Sequence, residues 1–236
     1  MICVTKTIVD CILYRICALR DIPGIRVFKG DLGGWIADEK NLSQEGFAWV
    51  GDDAWVWGGA SVSGNAHVYG DARVSDNARV SGYARVSDNA RVSGNALVFG
   101  NASVRNNAHV SDNARVSDNA RVSGNALVSG NALVSGNASV RNNAHVSGDT
   151  RVSSDAWEVS PLYIKGSAHA LTVCSATQLQ IGCHRHDTEW WLEKFEHTGK
   201  REGYTGGQIE EYGMLIRVAA EWQRKIFTRG DEGWTD

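Results

Sequence analysis

Between residues 48 and 150 the chain repeats one six-residue pattern of apolar and polar positions. Alanine returns every sixth residue, from Ala48, Ala54 and Ala60 to Ala138 and Ala144, and valine follows two places behind, from Val50 and Val56 to Val146 and Val152. The unit reads A-x-V-S-[GD]-N, as in Ala84-Arg85-Val86-Ser87-Asp88-Asn89. A spacing near 3.6 would signal a helix, and unbroken alternation an ordinary half-buried strand. Here A-x-V alternates once, with Ala and Val on one side and x on the other. The Gly/Asp-Asn pair that follows accepts the backbone angles of a corner. Each hexad is a short strand plus a corner, and a chain of them buries its Ala and Val only by coiling into a solenoid.

Outside the array the pattern changes. Ile12 to Leu19 alternates as a strand, Asp21-Ile22-Pro23-Gly24 reads as a turn, and Ile25-Arg26-Val27-Phe28 reads as a second strand. The Gly33-Gly34 pair lacks a following Lys-Ser/Thr and a helix start, so it reads as a tight turn in a cap rather than a phosphate cradle. An open solenoid end exposes strand edges, so a cap is required, and Trp35, Trp49, Trp55 and Trp57 are expected to pack beneath it. Order breaks after Asp155, the register slips at Trp157-Glu158-Val159, and Pro161 ends the pattern. Farther on, Leu171-Thr172-Val173-Cys174 and Leu179-Gln180-Ile181-Gly182 read as a hairpin. Asp187 is placed to cap a helix that Gly199 would stop, and Thr205 with Gln208 forms a capping box for a longer one. The apolar stripe of that helix is Ile209, Tyr212, Leu215, Ile216, Ala219, Trp222 and Ile226. The expected organisation is a β cap over 1–46, a β-helix over 47–157 and an α+β module over 158–236, with a hairpin at about 168–183 and helices at about 188–198 and 206–227.

Val-Ser-Asp-Asn-Ala-Arg resembles the hexapeptide signature of left-handed β-helix proteins. That resemblance implies the handedness, since crossover rules alone favour the other hand, and three hexads to a triangular coil of about 18 residues. The fold class expected is mainly β, a left-handed parallel β-helix of about six coils standing roughly 30 Å tall. Residues 100–111 recur unchanged at 136–147, a shift of 36 and so two whole coils, while a near-copy starting at Ser87 and Ser117 is shifted by 30. Duplication explains these copies as well as selection of one face does. The run Tyr14-Arg15-Ile16-Cys17-Ala18-Leu19-Arg20-Asp21, then Gly30-Asp31-Leu32-Gly33-Gly34-Trp35-Ile36, then Asn41-Leu42-Ser43-Gln44-Glu45-Gly46, resembles the leader of a phage and prophage hexapeptide-repeat family. An uncharacterised enterobacterial family named for hexapeptide transferase activity is similar in its Gly-Gly-Trp-Ile and Leu-Ser-Gln-Glu-Gly pieces. The resemblance covers about residues 12–155 and implies viral or prophage origin and a homo-oligomer, with a trimer favoured. The Ile-Gly-Cys tail, followed by His and Trp, is similar to tails on phage proteins of this type.

Composition narrows the classes. The 236-residue chain carries a net charge of -3, which argues against a general or sequence-specific nucleic-acid binder. Five cysteines, Cys3, Cys11, Cys17, Cys174 and Cys183, are an odd number without framework spacing, as for reduced thiols in the cytoplasm of a bacterial host. No apolar run of about 18 residues is present for a membrane span. The start is interrupted by Asp10 and Arg15 and has no A-x-A site, so no signal peptide is expected.

Candidate chemistry lies in the outward x positions. An 18-residue step puts Trp55, Arg73, Arg91, His109, Leu127 and His145 on one face. It puts Ser61, Arg79, Leu97, Arg115, Leu133 and Arg151 on a second, and Trp49, His67, Arg85, Ser103, Arg121, Ser139 and Trp157 on a third. The other outward column of the third face adds Tyr69, Ser87, Arg105, Ser123 and Arg141. Arg85, Arg105, Arg121 and Arg141 therefore form a basic strip suited to phosphate or carboxylate. The bland alternative is a solvated face balanced by corner residues Asp76, Asp88, Asp112 and Asp118. His109 and His145 share a face at about 10 Å, too far apart for one metal within a subunit. Cys183 and His186, with Cys174, His184 and His197 near in sequence, are weak metal candidates without a second ligand pair. Trp190 and Trp191 are either the tail's own core or a partner surface.

The function expected is non-enzymatic: a binding or scaffold protein that sequesters or inhibits a host factor, such as a defence component, or a small anionic ligand such as a nucleotide. No cofactor is expected. The alternative is an acyltransferase-like enzyme with its site between subunits and His67, His109 or His145 as base. Against it, seventeen consecutive hexads from Ala48 to Ala144 contain no protruding loop of the kind such enzymes carry. An ice-binding plane would want Thr ladders where Arg, Leu and His stand. The outward Leu97, Phe99 and Leu133 offer apolar contact between subunits.

Overall fold

The computed structural model describes residues 2–8, 11–22 and 24–227. Pro23 of the expected turn and the Cys3 and Cys11 thiols lie outside what it describes; Cys174 and Cys183 are free thiols. The array is a parallel β-solenoid. Each hexad contributes a two-residue rung, x-V, that pairs in parallel with the rung 18 residues on, as Arg85 with Ser103 and Val86 with Val104. The rungs stack into three sheets, here faces 1, 2 and 3, holding nine, six and seven strands in all.

The register follows from burial. From Ala54 and Val56 to Ala144 and Val146 the repeated Ala and Val have no exposed surface. A slip of one residue would turn them out to water. Each buried Val contributes about 1.5–3 kcal/mol. At the corners the chain bends through a left-handed residue, with φ 60° at Asp76 and 66° at Gly94. Aspartate is tolerated there because its carboxylate accepts the corner amide one coil on. Asp76 takes the Gly94 N–H at 3.0 Å, and Asp88, Asp112 and Asp118 take those of Asn106, Gly130 and Gly136. The asparagines beside them form side-chain ladders, Asn77 to Asn95 to Asn113 to Asn131 at one corner. Each rung of such a ladder is a hydrogen bond worth about 1 kcal/mol net.

The solenoid has one coil more than the hexads announce. Strand β1 (Ile2–Ile8) pairs antiparallel with β2 (Cys11–Cys17), which pairs antiparallel with β3 (Leu32–Ile36). β3 then pairs in parallel with the first hexad rung of face 1, Trp35 opposite Trp55, while Leu42 bridges to Val62 and Trp49 pairs with His67. Ile36, Leu42 and Val50 are the inward residues of this coil, and the uneven spacing between Leu42 and Val50 hides it from a strict six-residue count. The expected strand at residues 25–28 is instead a loop tied by a single bridge, Ile22 with Val27. Of the entry tryptophans, Trp35 and Trp55 take neighbouring outward positions on face 1, with the Arg15 guanidinium 5.3 Å from the Trp35 ring and that of Arg73 4.8 Å from the Trp55 ring.

At the far end Ala156 takes the outward position opposite Ser139, and Trp157 takes the valine slot opposite Val140. Trp157 was expected on the outer surface; the one-residue slip turns it inward, 1 % exposed, where it plugs the last coil. Its indole N–H donates to the Ser154 carbonyl at 2.8 Å, and Phe227 meets it edge-on at 5.2 Å. Beyond it a four-stranded antiparallel sheet (Tyr163–Lys165, Ala170–Val173, Gln178–Ile181 and His184–Asp187) contains the expected hairpin as its middle pair. Helices α1 (Thr188–Arg201) and α2 (Gly206–Phe227) pack against it. α1 runs through Gly199, which was expected to stop it; there the helix lies against α2, where an added Cβ would stand 2.9 Å from the Ile209 side chain. Asp155 accepts the Ala176 amide at 2.8 Å and joins the module to the solenoid end.

Candidate functional site

Face 3 carries the basic strip. The ladder sets Arg85, Ser103 and Arg121 in one outward column. The backbone bonds Ser87 to Val104, Arg105 to Val122 and Arg141 to Trp157 set the second column beside it. Arg85 and Arg121 therefore stand two coils apart, about 10 Å, and Arg105 and Arg141 repeat that spacing one coil farther along. All four side chains are exposed. Sequence reasoning allowed the corner aspartates as their counter-ions. The structure gives those carboxylates to backbone amides instead, and among the described residues the ion pair on this strip is Arg141 with Glu158, at 2.5 Å. The Arg141 pair lies at the surface and contributes little to stability; Arg85, Arg105 and Arg121 meet no carboxylate of the described residues within ion-pair distance.

At the N-terminal end of the strip the loop at 24–27 crosses face 3 and leaves a groove of about 410 Å³ against His67 and Arg85, with Trp49, Asp52 and Tyr69 beside them. Gly51 makes room there: the Trp49 indole lies where a residue-51 side chain would point, 3.1 Å from a Cβ placed on it. Burial, then the Arg85 charge, pushes the His67 imidazole below its ordinary pKa, against a hydrogen bond to the Phe47 backbone that favours the charged ring. Sequence reasoning put Trp49, His67, Tyr69 and Arg85 on one face, as the ladder does, but missed Asp52 and the loop as neighbours, since nothing in a local pattern says where a cap loop lands.

The remaining candidates separate. His109 is half-buried on face 1 between Arg91 and Leu127, and burial with the Arg91 charge lowers its pKa. His145 is exposed two coils on, one coil beyond Leu127. Neither histidine has a carboxylate to orient it among the described residues. A second cavity, about 540 Å³, opens at the N-terminal mouth between β2 and the first coil; its walls are mostly apolar, and its Arg20 is engaged by the Gly46 carbonyl and the Phe47 ring. In the tail, Trp191 is 3 % exposed and donates its indole N–H to the Leu179 carbonyl at 3.0 Å, which makes it core. Trp190 is half-buried with the His186 ring stacked on it at 3.7 Å. Cys183 is exposed and His184 faces Glu202 at 3.5 Å. Among the described residues no three His, Cys, Asp or Glu side chains group as metal ligands, and Cys183 and His186 join no such set. No helix among them is long and apolar enough to cross a membrane.

Comparison with known proteins bears on the array. No curated protein matches the chain. A family model described as the YdcK beta solenoid repeat matches it over residues 72–88, 84–98, 90–106, 108–124, 114–129 and 120–136, all within the stacked coils. These repeats together with the stacked sheets make the chain a repeat β-solenoid protein.

Proposed function

We infer that this protein is a non-enzymatic binding scaffold of phage type. In this reading it works in the cytoplasm of a bacterial host, most simply as a homo-oligomer, and holds an anionic partner, an acidic surface of a host factor, on face 3. One observation carries the reading: Arg85, Arg105 and Arg121 stand in register at fixed spacing and, among the described residues, none forms an ion pair, while corner residues Asp88 and Asp118 each turn one carboxylate oxygen to a backbone amide. A guanidinium fork recognises carboxylate and phosphate in two-point fashion, and a stiff solenoid presents such forks with little entropy left to lose on binding. The regular coils carry no protruding loop and the outward histidines no orienting acid, which is poor material for catalysis.

Charge reversal tests this. Arg105→Glu with Arg121→Glu changes exposed side chains only, so the melting temperature should move by a few degrees at most. Affinity for a partner captured from host lysate at low salt should fall at least a hundredfold, and capture by the unaltered protein should weaken steeply as salt rises. A partner that binds the double variant as well as the natural chain would remove the strip from the function.

A further inference from the structure

The groove beside the loop at 24–27 has walls of unlike chemistry. Ile25 and Val27 line one side, Trp49 and Tyr69 the other, and His67 and Arg85 stand at its polar end. A volume near 410 Å³ lies in the range that small ligands occupy. His67 is the informative residue. Its Nε2 has no exposed surface and no hydrogen-bond partner, a state that folded proteins generally avoid. A buried ring nitrogen without a partner calls for a hydrogen-bonding group from outside the chain. Asp52, an acceptor, already takes the Gly70 amide at 3.0 Å through one oxygen. Arg85 supplies an exposed cation. The loop, tied by the Ile22–Val27 bridge, supplies the groove's apolar wall.

An unpartnered ring nitrogen, a carboxylate, an aromatic wall and one guanidinium ask for a ligand with a flat ring of hydrogen-bonding edges, a hydroxyl and an anionic group. We propose that this groove, its loop at 24–27 moving aside, binds a nucleoside monophosphate, its base against Trp49 and Tyr69 and hydrogen-bonded to His67 Nε2, a ribose hydroxyl toward Asp52 and its phosphate on Arg85. The site shares Arg85 with the strip but does not need Arg105, Arg121 or Arg141, so the two readings stand or fall separately.

Calorimetry on the full chain decides it, with AMP, ribose 5-phosphate and inorganic phosphate as probes. AMP should bind, with ribose 5-phosphate and inorganic phosphate at least tenfold weaker. His67→Phe and Arg85→Ala should each weaken AMP at least tenfold. No heat with millimolar AMP, equal affinity for inorganic phosphate, or AMP binding untouched by His67→Phe would each overturn the proposal. Should His67→Phe fail to fold, the unaltered protein still answers. The His67 ring resonances must shift on addition of AMP, and their failure to move counts against the site.

Discussion

At a single corner the residue type answers to the residue one coil above. The column Asp76, Gly94, Asp112, Gly130 alternates because each aspartate grips the amide of the glycine over it. At Gly94, with φ 66°, an added Cβ would lie 2.8 Å from the Asp112 amide nitrogen. Crowding alone does not forbid a side chain at such a place, since Asn106 sits over Asp88 with φ 62°. The left-handed backbone is the larger cost, about 1–2 kcal/mol for an ordinary residue and less for asparagine. Gly94→Ala should therefore destabilise the chain by about 1–2 kcal/mol and Gly94→Asn by clearly less, read as separate melting shifts by circular dichroism. Equal losses would make crowding, not backbone angle, the cause. That Gly/Asp-Asn means a corner was legible in the residues. Which group each carboxylate would serve was not, because the amide it takes is 18 residues away and becomes a neighbour only after the coil closes. His67 is similar: its burial depends on a loop some forty residues upstream.

At the scale of the strand, two residues suffice because every rung between the terminal ones is paired on both sides, and the hexad period made that legible almost wholly. What it could not show lies at the two ends, where the period fails. Ile36 and Leu42 do the work of the valines in a coil with no hexad signature, and Trp157 does it at the opposite end. A tryptophan in a valine slot fits only where no further coil follows, with Phe227 closing over it at 5.2 Å. The slip was readable in the sequence, but its direction depended on which of Ala156 and Trp157 faced inward. Trp157→Ala should cost about 3–5 kcal/mol by urea unfolding, as for other fully buried indoles. A loss below about 1 kcal/mol would mean that the tail module, rather than the plug, seals the end.

For the whole molecule, stability is a sum over coils with neighbour terms, so coils should be removable in whole units. The repeated segment marks where to cut. Deleting residues 106–141 removes 36 positions and joins Arg105 to Asn142-Asn143-Ala144-His145-Val146, the same residues that follow Arg105 in the natural chain. Every rung then meets a rung of its own face, both end modules keep their docking partners, and the asparagine ladders close over the seam. Removing 33 residues instead, 106–138, shifts the phase by half a hexad and turns the downstream Ala and Val outward. The first variant should keep its β-sheet circular dichroism and a cooperative melt at lower temperature, and the second should not fold. The shortened protein should also keep the groove at His67 while losing Arg121 and Arg141, which separates a ligand held near the cap from a partner spread along the face. Were both deletions to fold equally well, the coils would not be held by a shared 18-residue register, and the spacing of the arginines would lose its physical basis.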